Sequence, residues 1–318
     1  MSHVFTLEQI RQVSDPMDFT DTIEQGFIQY SKGNVVVPPV GELTFEDPPG
    51  DTHIKYGYVK NDDTYVIKIA SGFYNNPALG LSSSSGLMLV FCQKTGVLKS
   101  VLMDEGHLTN VRTAVAGRIC AKIMAPDTVH AIGVLGTGIQ ARMQVEYLKG
   151  VVDCKQVRVW GRTKQHAQSY QADMAQKGYE VELAASAAEV AASCNLIITT
   201  TPSTVPLLSG KEIRPGTHIT AMGSDTPDKQ ELDADILQGA DLVVADSIPQ
   251  CLERGEISHA IRKGVLDQDK IIELGDILDR PDIRVRDGSE LSVADLTGVA
   301  VQDVQIATAV CTALEDGK

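Results

Sequence analysis

The chain has few positive charges for its length and no cysteine or histidine pattern typical of a metal site. Its 318 residues carry 28 Lys and Arg against 42 Asp and Glu, a formal net charge of −14 at pH 7. Such an acidic balance argues against a nucleic-acid or anionic-membrane partner. The six cysteines form no C-x-x-C pair, and the seven histidines show neither H-x-x-x-H nor H-E-x-x-H spacing. We therefore expect reduced thiols and no bound metal.

Long apolar runs and repeats are also missing. No run approaches the eighteen or so apolar residues that a membrane-spanning helix needs, and the opening MSHVFTLEQIRQV has no apolar signal-peptide core. Internal repeats and low-complexity segments are absent. These absences predict a soluble, cytoplasmic protein of one or two domains, long enough to bury a sizeable core.

A glycine motif is the strongest positive signal. A short apolar run, 131–135, leads into Gly136-x-Gly138-x-x-Ala141, and a helix-forming stretch follows. In this strand–turn–helix setting the first glycine permits the turn, the second lets the backbone approach a pyrophosphate, and the alanine allows close helix packing. The alternative is a tight turn without ligand. The predicted contacts to the cofactor from this turn are Gly136, Thr137, Gly138, Ile139 and Gln140.

The predicted pattern of secondary structure changes near residue 128. Before it, strand-like segments joined by turns follow two short helices and predict a mixed or antiparallel sheet. After it, strands alternate with helices, which indicates a parallel sheet covered on both faces, and the chain becomes helical after Asp246. We predict an α/β protein with a Rossmann-type domain, 126–298, and a discontinuous α+β domain. The latter comprises 1–125 for substrate binding and dimerisation, with 299–318 returning to it.

Three polar residues stand where chemistry is expected, and each has an alternative explanation. Lys68 lies inside the apolar strand TYVIKIASG. Its side chain is either a desolvated ammonium with a chemical role or a lysine on an edge strand that reaches solvent. Arg112, near the start of a helix, suits a carboxylate or phosphate, or is simply solvated. Asp225 follows the strand HITAMG, where ligands of parallel sheets bind, or it caps the next turn.

Together these regions resemble the ornithine cyclodeaminase/mu-crystallin family. The similar segments are YVIKIASGFYNNPALGL, LTNVRTAVAG, GVLGTGIQA, VWGRTKQHA, MGSDTPDKQELD and LTGVAVQD, in the family's order and spread over nearly the whole chain. The resemblance implies a homodimer with a nucleotide-binding Rossmann domain and chemistry through a 2-imino acid beside a nicotinamide. The family contains cyclodeaminases, amino-acid dehydrogenases, ketimine reductases and a hormone-binding crystallin.

The resemblance also implies roles for individual residues. Lys68 and Arg112 correspond to residues that hold the substrate carboxylate, and Lys68 also reaches the reacting nitrogen. Asp225 corresponds to the proton-transfer aspartate, which the crystallin branch lacks. The implied cofactor contacts outside the glycine turn are Ser83, Thr113 and Lys229.

Two departures from the family separate this chain from the cyclodeaminases. Those enzymes carry an arginine after the paired prolines, where this chain has Val40, and a glutamate near the position of Lys55. A lysine there reverses the field at the far end of the substrate, which favours a second carboxylate over an amine. The sequence therefore predicts an imino-acid reductase, with iminosuccinate to L-aspartate as the sharpest candidate. A solvated Lys55, an ammonia-eliminating cyclodeaminase and a non-enzymatic NADPH-binding protein are the alternatives.

The choice of nicotinamide cofactor is open at this point. The second Rossmann strand ends without the acid that bonds an adenosine ribose hydroxyl. Arg162 and Thr163 follow it instead and suit the 2′-phosphate of NADP. Since an arginine can also stack on adenine, NAD remains an alternative.

Overall fold

The computed structural model describes residues 2–73, 75–280, 282 and 288–317. The chain divides into two compact units: the residues up to Arg112 with those from Val299 onwards, and the stretch Thr113–Gly298. The division falls inside the helix His107–Met124. The sequence placed a boundary at 125/126, where Pro126 ends this helix. The end of a helix and the border of a compact unit are thus different positions in this chain.

The first unit is built on a mixed sheet. Its strands in the described residues are β1 (His3–Thr6), β2 (Val35–Val36), β3 (Gly41–Glu46), β4 (Pro49–Val59), β5 (Thr64–Phe73), β6 (Ser84–Cys92) and β7 (Leu98–Met103). They lie in the order β1-β7-β6-β5-β4-β2, and β3 also pairs with β4. Strand β1 runs parallel to β7 and the other pairs are antiparallel.

Helices cover one face of this sheet. They are α1 (Leu7–Ser14), α2 (Thr20–Ser31), the start of α3 (His107–Met124) and, from the end of the chain, α11 (Ala300–Asp316). A capping box opens α1, because Gln9 N–H donates to the Thr6 hydroxyl and Thr6 N–H donates to the Gln9 side chain. Helix α11 packs on β4, β5 and α2.

The sequence missed three elements of the first unit. Strand β1 precedes the helix with which the predicted elements begin. Strand β3, GELTFE, was not predicted either, although Leu43 and Phe45 alternate with polar residues in it, and both side chains are exposed. A short 3-10 helix, Asn76–Leu79, also interrupts the strands. Burial alternates along β5, and Val66 and Lys68 share the buried face.

The second unit has a parallel sheet of Rossmann type, as predicted. Its strands in the described residues are β8 (Ile132–Leu135), β9 (Gln156–Trp160), β10 (Glu180–Leu183), β11 (Leu196–Thr199), β12 (His218–Ala221), β13 (Leu242–Ala245), β14 (Ile271–Glu273) and β15 (Ser292–Asp295). The order is β10-β9-β8-β11-β12-β15-β13-β14. Every pair is parallel.

The helices of this unit connect the strands. They are the rest of α3, α4 (Ile139–Tyr147), α5 (Lys164–Gln176), α6 (Ala187–Ser193), α7 (Ala234–Gly239), α8 (Ile248–Cys251), α9 (Gly255–Arg262) and α10 (Leu274–Asp279). Strands β8, β11, β12, β13 and β15 are buried throughout. Burial of this kind is typical of strands covered by helices on both faces.

The prediction of a purely helical chain after Asp246 is wrong. Strands β14 and β15 lie in that region, and β15 inserts between β12 and β13. Only four residues, SVAD, form β15, so the strand has too little local pattern to be recognised. Its pairing with two flanking strands decides its conformation. In the part of the chain that the structure describes, no helix has the length and apolar character needed to cross a bilayer.

Buried carboxylates fix the loops at the carboxyl edge of the parallel sheet. Glu231 accepts hydrogen bonds from the N–H groups of Thr201 and Gly223. Glu256 accepts in turn from the N–H groups of Glu231 and Leu232, at 2.8 and 3.0 Å. Both acids are fully buried. The two carboxylates therefore act as hydrogen-bond acceptors for loop N–H groups, in place of backbone carbonyl oxygens.

We expect Glu256→Gln to destabilise the second unit. The amide NH₂ cannot accept a hydrogen bond, so one buried backbone N–H loses its partner, at a cost of about 1–3 kcal/mol in the free energy of unfolding. Urea unfolding followed by circular dichroism measures the change. Glu253→Gln, the same substitution at an exposed neighbour, is the control and should stay within about 0.5 kcal/mol of the parent. Equal stability of the two variants would contradict the role given to Glu256.

Candidate functional site

The glycine turn between β8 and α4 opens a cleft of about 470 Å³ at the carboxyl edge of the parallel sheet. Gly136 has φ +118°, and a Cβ there would lie 2.4 Å from the Thr200 hydroxyl. Only glycine fits this position without strain. Gly138 has an ordinary backbone conformation, yet a Cβ there would meet nothing within 4 Å. Its backbone is therefore open to a ligand.

Three adjacent strands contribute to this nucleotide cleft. Its lining combines the glycine turn, the end of β9 and the loop after β11, and comprises Gly136, Thr137, Gly138, Trp160, Gly161, Arg162, Thr163, His166, Thr200, Thr201, Pro202, Ser203 and Leu207. The sequence analysis proposed five of these positions: 136–138, 162 and 163. It missed His166 and the loop after β11. The rule that ligands of parallel sheets lie beyond neighbouring strand ends could have indicated that loop.

The turn is held in place by Arg142 of α4. Its guanidinium donates to the carbonyl oxygen of Gly138 at 3.1 Å and forms an ion pair with Asp173 at 2.7 Å. Two other residues of the predicted set, Ile139 and Gln140, begin α4 and do not line the cleft. A helix N-terminus such as that of α4 favours an anionic ligand.

The donor set of the nucleotide cleft fits a dinucleotide. A bare glycine backbone and a helix N-terminus suit a pyrophosphate, and Arg162 and Thr163 are exposed at the end of β9. None of the residues that the structure places along this cleft is acidic. The position that bonds an adenosine ribose in many NAD sites therefore has no carboxylate here.

The first unit contains a second cluster of polar residues, under α11. Lys68 on β5 and Lys55 on β4 stand directly opposite each other in the antiparallel register. Their exposed fractions are only 2% and 6%. Lys68 is thus no edge lysine, because β5 lies between β4 and β6, and the alternative of a solvated Lys55 is also wrong. The sheet face buries two ammonium groups side by side.

A guanidinium and a carboxylate complete this cation cluster, which consists of Lys55, Lys68, Arg112 and Asp303. Asp303 Oδ2 lies 3.0 Å from Lys68 Nζ, and its Oδ1 lies 3.1 Å from Arg112 Nε. Arg112 is 6% exposed and also donates from Nη1 to Gln302 Oε1 at 3.4 Å. A solvated Arg112 is therefore excluded. Three cations surround one carboxylate, so the cluster carries net positive charge inside an acidic protein.

Asp303 was not predicted from the sequence. It lies in the first turns of α11, in the segment AVQDV, where all five residues are buried. Val301 and Val304, on either side of it, have the apolar character and spacing of a core helix. The available signal was the acid itself, since a carboxylate in a fully buried helix segment needs a cationic partner.

Burial and charge shift the titration of the cluster. Burial lowers the pKa of Lys68 to about 7, although the Asp303 carboxylate opposes this shift. Burial alone would raise the pKa of Asp303, but the charges of Lys68, Arg112 and Lys55 hold it below its ordinary value. The cluster therefore contains a permanent anion and a lysine that titrates near neutral pH.

The remaining predicted residues lie elsewhere in the two units. Asp225 follows β12 in the second unit; it is 45% exposed, and its carboxylate lies 2.6 Å from Lys229 Nζ. Thr113, also in the second unit, accepts a hydrogen bond on its carbonyl from Gln144 at 2.9 Å. Ser83 is exposed in the loop before β6 of the first unit.

Comparison with known proteins defines the class to which this fold and these residues belong. Residues 2–318 match the model of the ornithine cyclodeaminase/mu-crystallin family, and the chain belongs to that family. It is 32% identical to the alanine dehydrogenase of Archaeoglobus fulgidus over 313 residues, 96% of this chain and 93% of the relative.

Two solved structures with bound NAD are similar over almost the full length. An archaeal alanine dehydrogenase dimer with NAD has a TM-score of 0.89 and 28% identity, over 99% of this chain and 97% of the other. The iminosuccinate reductase of Paracoccus denitrificans with NAD⁺ has a TM-score of 0.88 and 27% identity, over 99% and 96%. The resemblance noted from sequence motifs and the Rossmann-type fold class are confirmed.

We expect the buried Lys68 to make stability depend on pH. Because its pKa is about 7 in the folded chain and 10.4 or so when unfolded, the unfolded state binds the extra proton between these values. Stability contributed by Lys68 therefore increases as pH rises from 7 towards 10, by up to about 1.4 kcal/mol per pH unit.

Urea unfolding at pH 7.5, 8.25 and 9 tests this dependence. The parent protein should gain stability across the series relative to Lys68→Met, which has no titrating group at that position. Lys94→Met removes an exposed lysine and should leave the slope of the parent unchanged. Parallel curves for the parent and Lys68→Met would contradict the assignment.

Proposed function

We propose that this chain is an NAD(P)H-dependent oxidoreductase that reduces a 2-imino acid to an L-amino acid. The observation that carries the proposal is the cation cluster, three buried cations around one carboxylate on the sheet of the first unit. Burial on this scale is costly unless an anion completes the charge balance. Membership of a family with imine-reducing relatives and the nucleotide cleft of the second unit support the same conclusion.

The two ends of the substrate are assigned to different cations. Arg112 presents a planar fork suited to the α-carboxylate, and Lys68 adds an ammonium donor beside it. Lys55, opposite Lys68 in the register, is assigned to a second carboxylate on the side chain. We therefore propose a dicarboxylic substrate, with iminosuccinate to L-aspartate as the reaction. A P. denitrificans protein of that activity is similar in structure.

The nicotinamide nucleotide is assigned to the cleft of the second unit, where Gly136, Thr137 and Gly138 would hold its pyrophosphate. When bound, it supplies the hydride that reduces the imine carbon. Arg162 and Thr163 suit the 2′-phosphate, and no acid along the cleft opposes it, so we favour NADP over NAD. Further cofactor contacts are proposed for Ile139, Gln140, Ser83, Thr113 and Lys229.

Proton delivery is assigned to this chain's own acids. The imine nitrogen needs one proton as its carbon is reduced. Asp225, or a water that it holds, is proposed to supply that proton, and Lys229 at 2.6 Å fixes its carboxylate. Lys68 and Arg112 orient the C=N group, which contributes through positioning. The reaction then balances as one hydride to carbon and one proton to nitrogen.

A homodimer is proposed for the assembly, with the first unit providing substrate binding and dimerisation. The archaeal alanine dehydrogenase with a similar structure is described as a dimer. Sedimentation of the purified protein measures the mass directly, against 34.2 kDa for one chain.

A substrate screen tests the proposed activity. Oxaloacetate, pyruvate, glyoxylate and cyclic imines are each supplied, the oxo acids with ammonium, together with NADH or NADPH. We expect net oxidation of the nicotinamide at 340 nm, fastest with oxaloacetate and ammonium. Gly138→Val is the control: its side chain enters open space in the cleft, so it should fold normally and lose nucleotide binding and turnover.

The alternatives give different results in the same screen. Release of ammonia from ornithine without net change at 340 nm would identify a cyclodeaminase. Tight NADPH binding with no turnover of any substrate would identify a binding protein of crystallin type. Either result would overturn the proposed reductase.

We expect Lys55→Met to weaken only the binding of the second carboxylate of the substrate. The loss of one buried charge-assisted contact, about 1.5–3 kcal/mol, should raise KM for the oxaloacetate-derived imine by about 10–150-fold. KM for the pyruvate-derived imine, which has no second carboxylate, should change little. The ratio of the two kcat/KM values is the readout. An equal change for both substrates would remove Lys55 from substrate selection.

A further inference from the structure

Asp303 forms ion pairs with two of the three cations assigned to substrate binding. Each of its two carboxylate oxygens contacts a different cation: Oδ2 lies 3.0 Å from Lys68 Nζ, and Oδ1 lies 3.1 Å from Arg112 Nε. The carboxylate is only 1% exposed. If either cation turned away, one of these two buried oxygens would lose its cationic partner.

Helix α11 holds Arg112 at two points. Asp303 faces Nε, and the preceding residue, Gln302, accepts from Nη1 through Oε1 at 3.4 Å. The ion pair and the hydrogen bond come from adjacent residues of one helix, and together they restrain the position of the guanidinium. Since α11 packs against β4 and β5, the same helix sets Arg112 against the sheet that carries both lysines.

We propose that Asp303 is a positioning residue for the imino-acid carboxylate: it aligns the Lys68 ammonium with the Arg112 guanidinium and keeps Lys68 protonated for the anion to bind. This inference rests on the proposed function. It assigns no contact between Asp303 and the substrate, because its two oxygens are occupied by the cations. Asp303 acts through them.

The charges around Lys68 support the second part of this role. Lys55 on β4 and Arg112 on α3 both disfavour a third positive charge. Two carboxylates favour the charged form of Lys68: Asp303 on α11 and Asp104, which precedes α3 and accepts from Leu108 N–H. Asp303 has the stronger effect, in keeping with its 3.0 Å separation. Strand β6 places Met88 opposite Lys68 and adds no charge.

The first experiment measures protonation directly and does not depend on turnover. The side-chain ¹³Cε signals of labelled lysine are followed by NMR between pH 5 and 10, and Lys68→Met identifies the Lys68 signal by its loss. In Asp303→Asn the midpoint of Lys68 should fall by roughly one to three pH units. Asp303→Glu should restore it in part. Asp316→Asn, an exposed acid on the same helix, should leave it unchanged.

The second experiment measures kinetics across pH. In Asp303→Asn, kcat/KM for the imino acid at pH 8 should fall about tenfold for each pH unit by which the Lys68 midpoint falls. The loss should shrink towards pH 6, as Lys68 regains its proton. In a Lys68→Met background the same substitution should give only a loss independent of pH, through Arg112. The double variant removes one buried cation together with the acid and leaves Arg112 and Lys55, so it also serves if Asp303→Asn alone does not fold.

The outcomes separate the two proposals. An unchanged Lys68 midpoint in folded Asp303→Asn would overturn the positioning role, whatever the substrate screen shows. A pH-dependent loss that persists without Lys68 would overturn it as well. A shifted midpoint in a protein that reduces no imine would sustain the pairing of Asp303 with Lys68 and refute the reductase.

Discussion

One ion-paired carboxylate makes the polar chemistry of the first unit possible. Two lysines on a buried sheet face and an arginine packed beside them would repel one another and lose their hydration without compensation. Asp303 supplies the compensating charge from a helix that packs on two of the strands concerned. It neutralises only part of the cluster, whose four side chains keep a net positive charge. The sign of this local charge is opposite to that of the whole chain, which carries −14.

The second unit exposes backbone groups of the kind that bind anions. The turn after β8 has no side chain at Gly136 or Gly138, and Arg142 fixes its carbonyls. The loop after β11 is fixed from behind by Glu231, which Glu256 holds in turn. Binding groups at the surface of the cleft are thus supported by buried polar groups beneath them. Such support limits the rearrangement that a ligand would otherwise have to induce.

Local patterns were enough for the Rossmann-type sheet and the glycine turn. Even the pairing of Lys55 with Lys68 follows from the hairpin, since both are equally far from its turn at 61–62. The misses share a physical cause. Strand β15 has four residues and takes its conformation from its neighbours. Asp303 meets its partners only through tertiary packing, since Gln302, the residue before it, already lies 190 residues beyond Arg112. No window of sequence contains both halves of such a contact.

The discontinuity of the first unit has a consequence for biosynthesis. The stretch from Thr113 to Gly298 is continuous and precedes α11, so the ribosome releases the whole Rossmann-type unit while the first unit still lacks its last helix. Nascent Lys68 and Arg112 must remain hydrated until Asp303 emerges. The second unit is therefore complete on the ribosome before the first, and Lys68 meets its carboxylate partner only after the Rossmann-type unit has been synthesised.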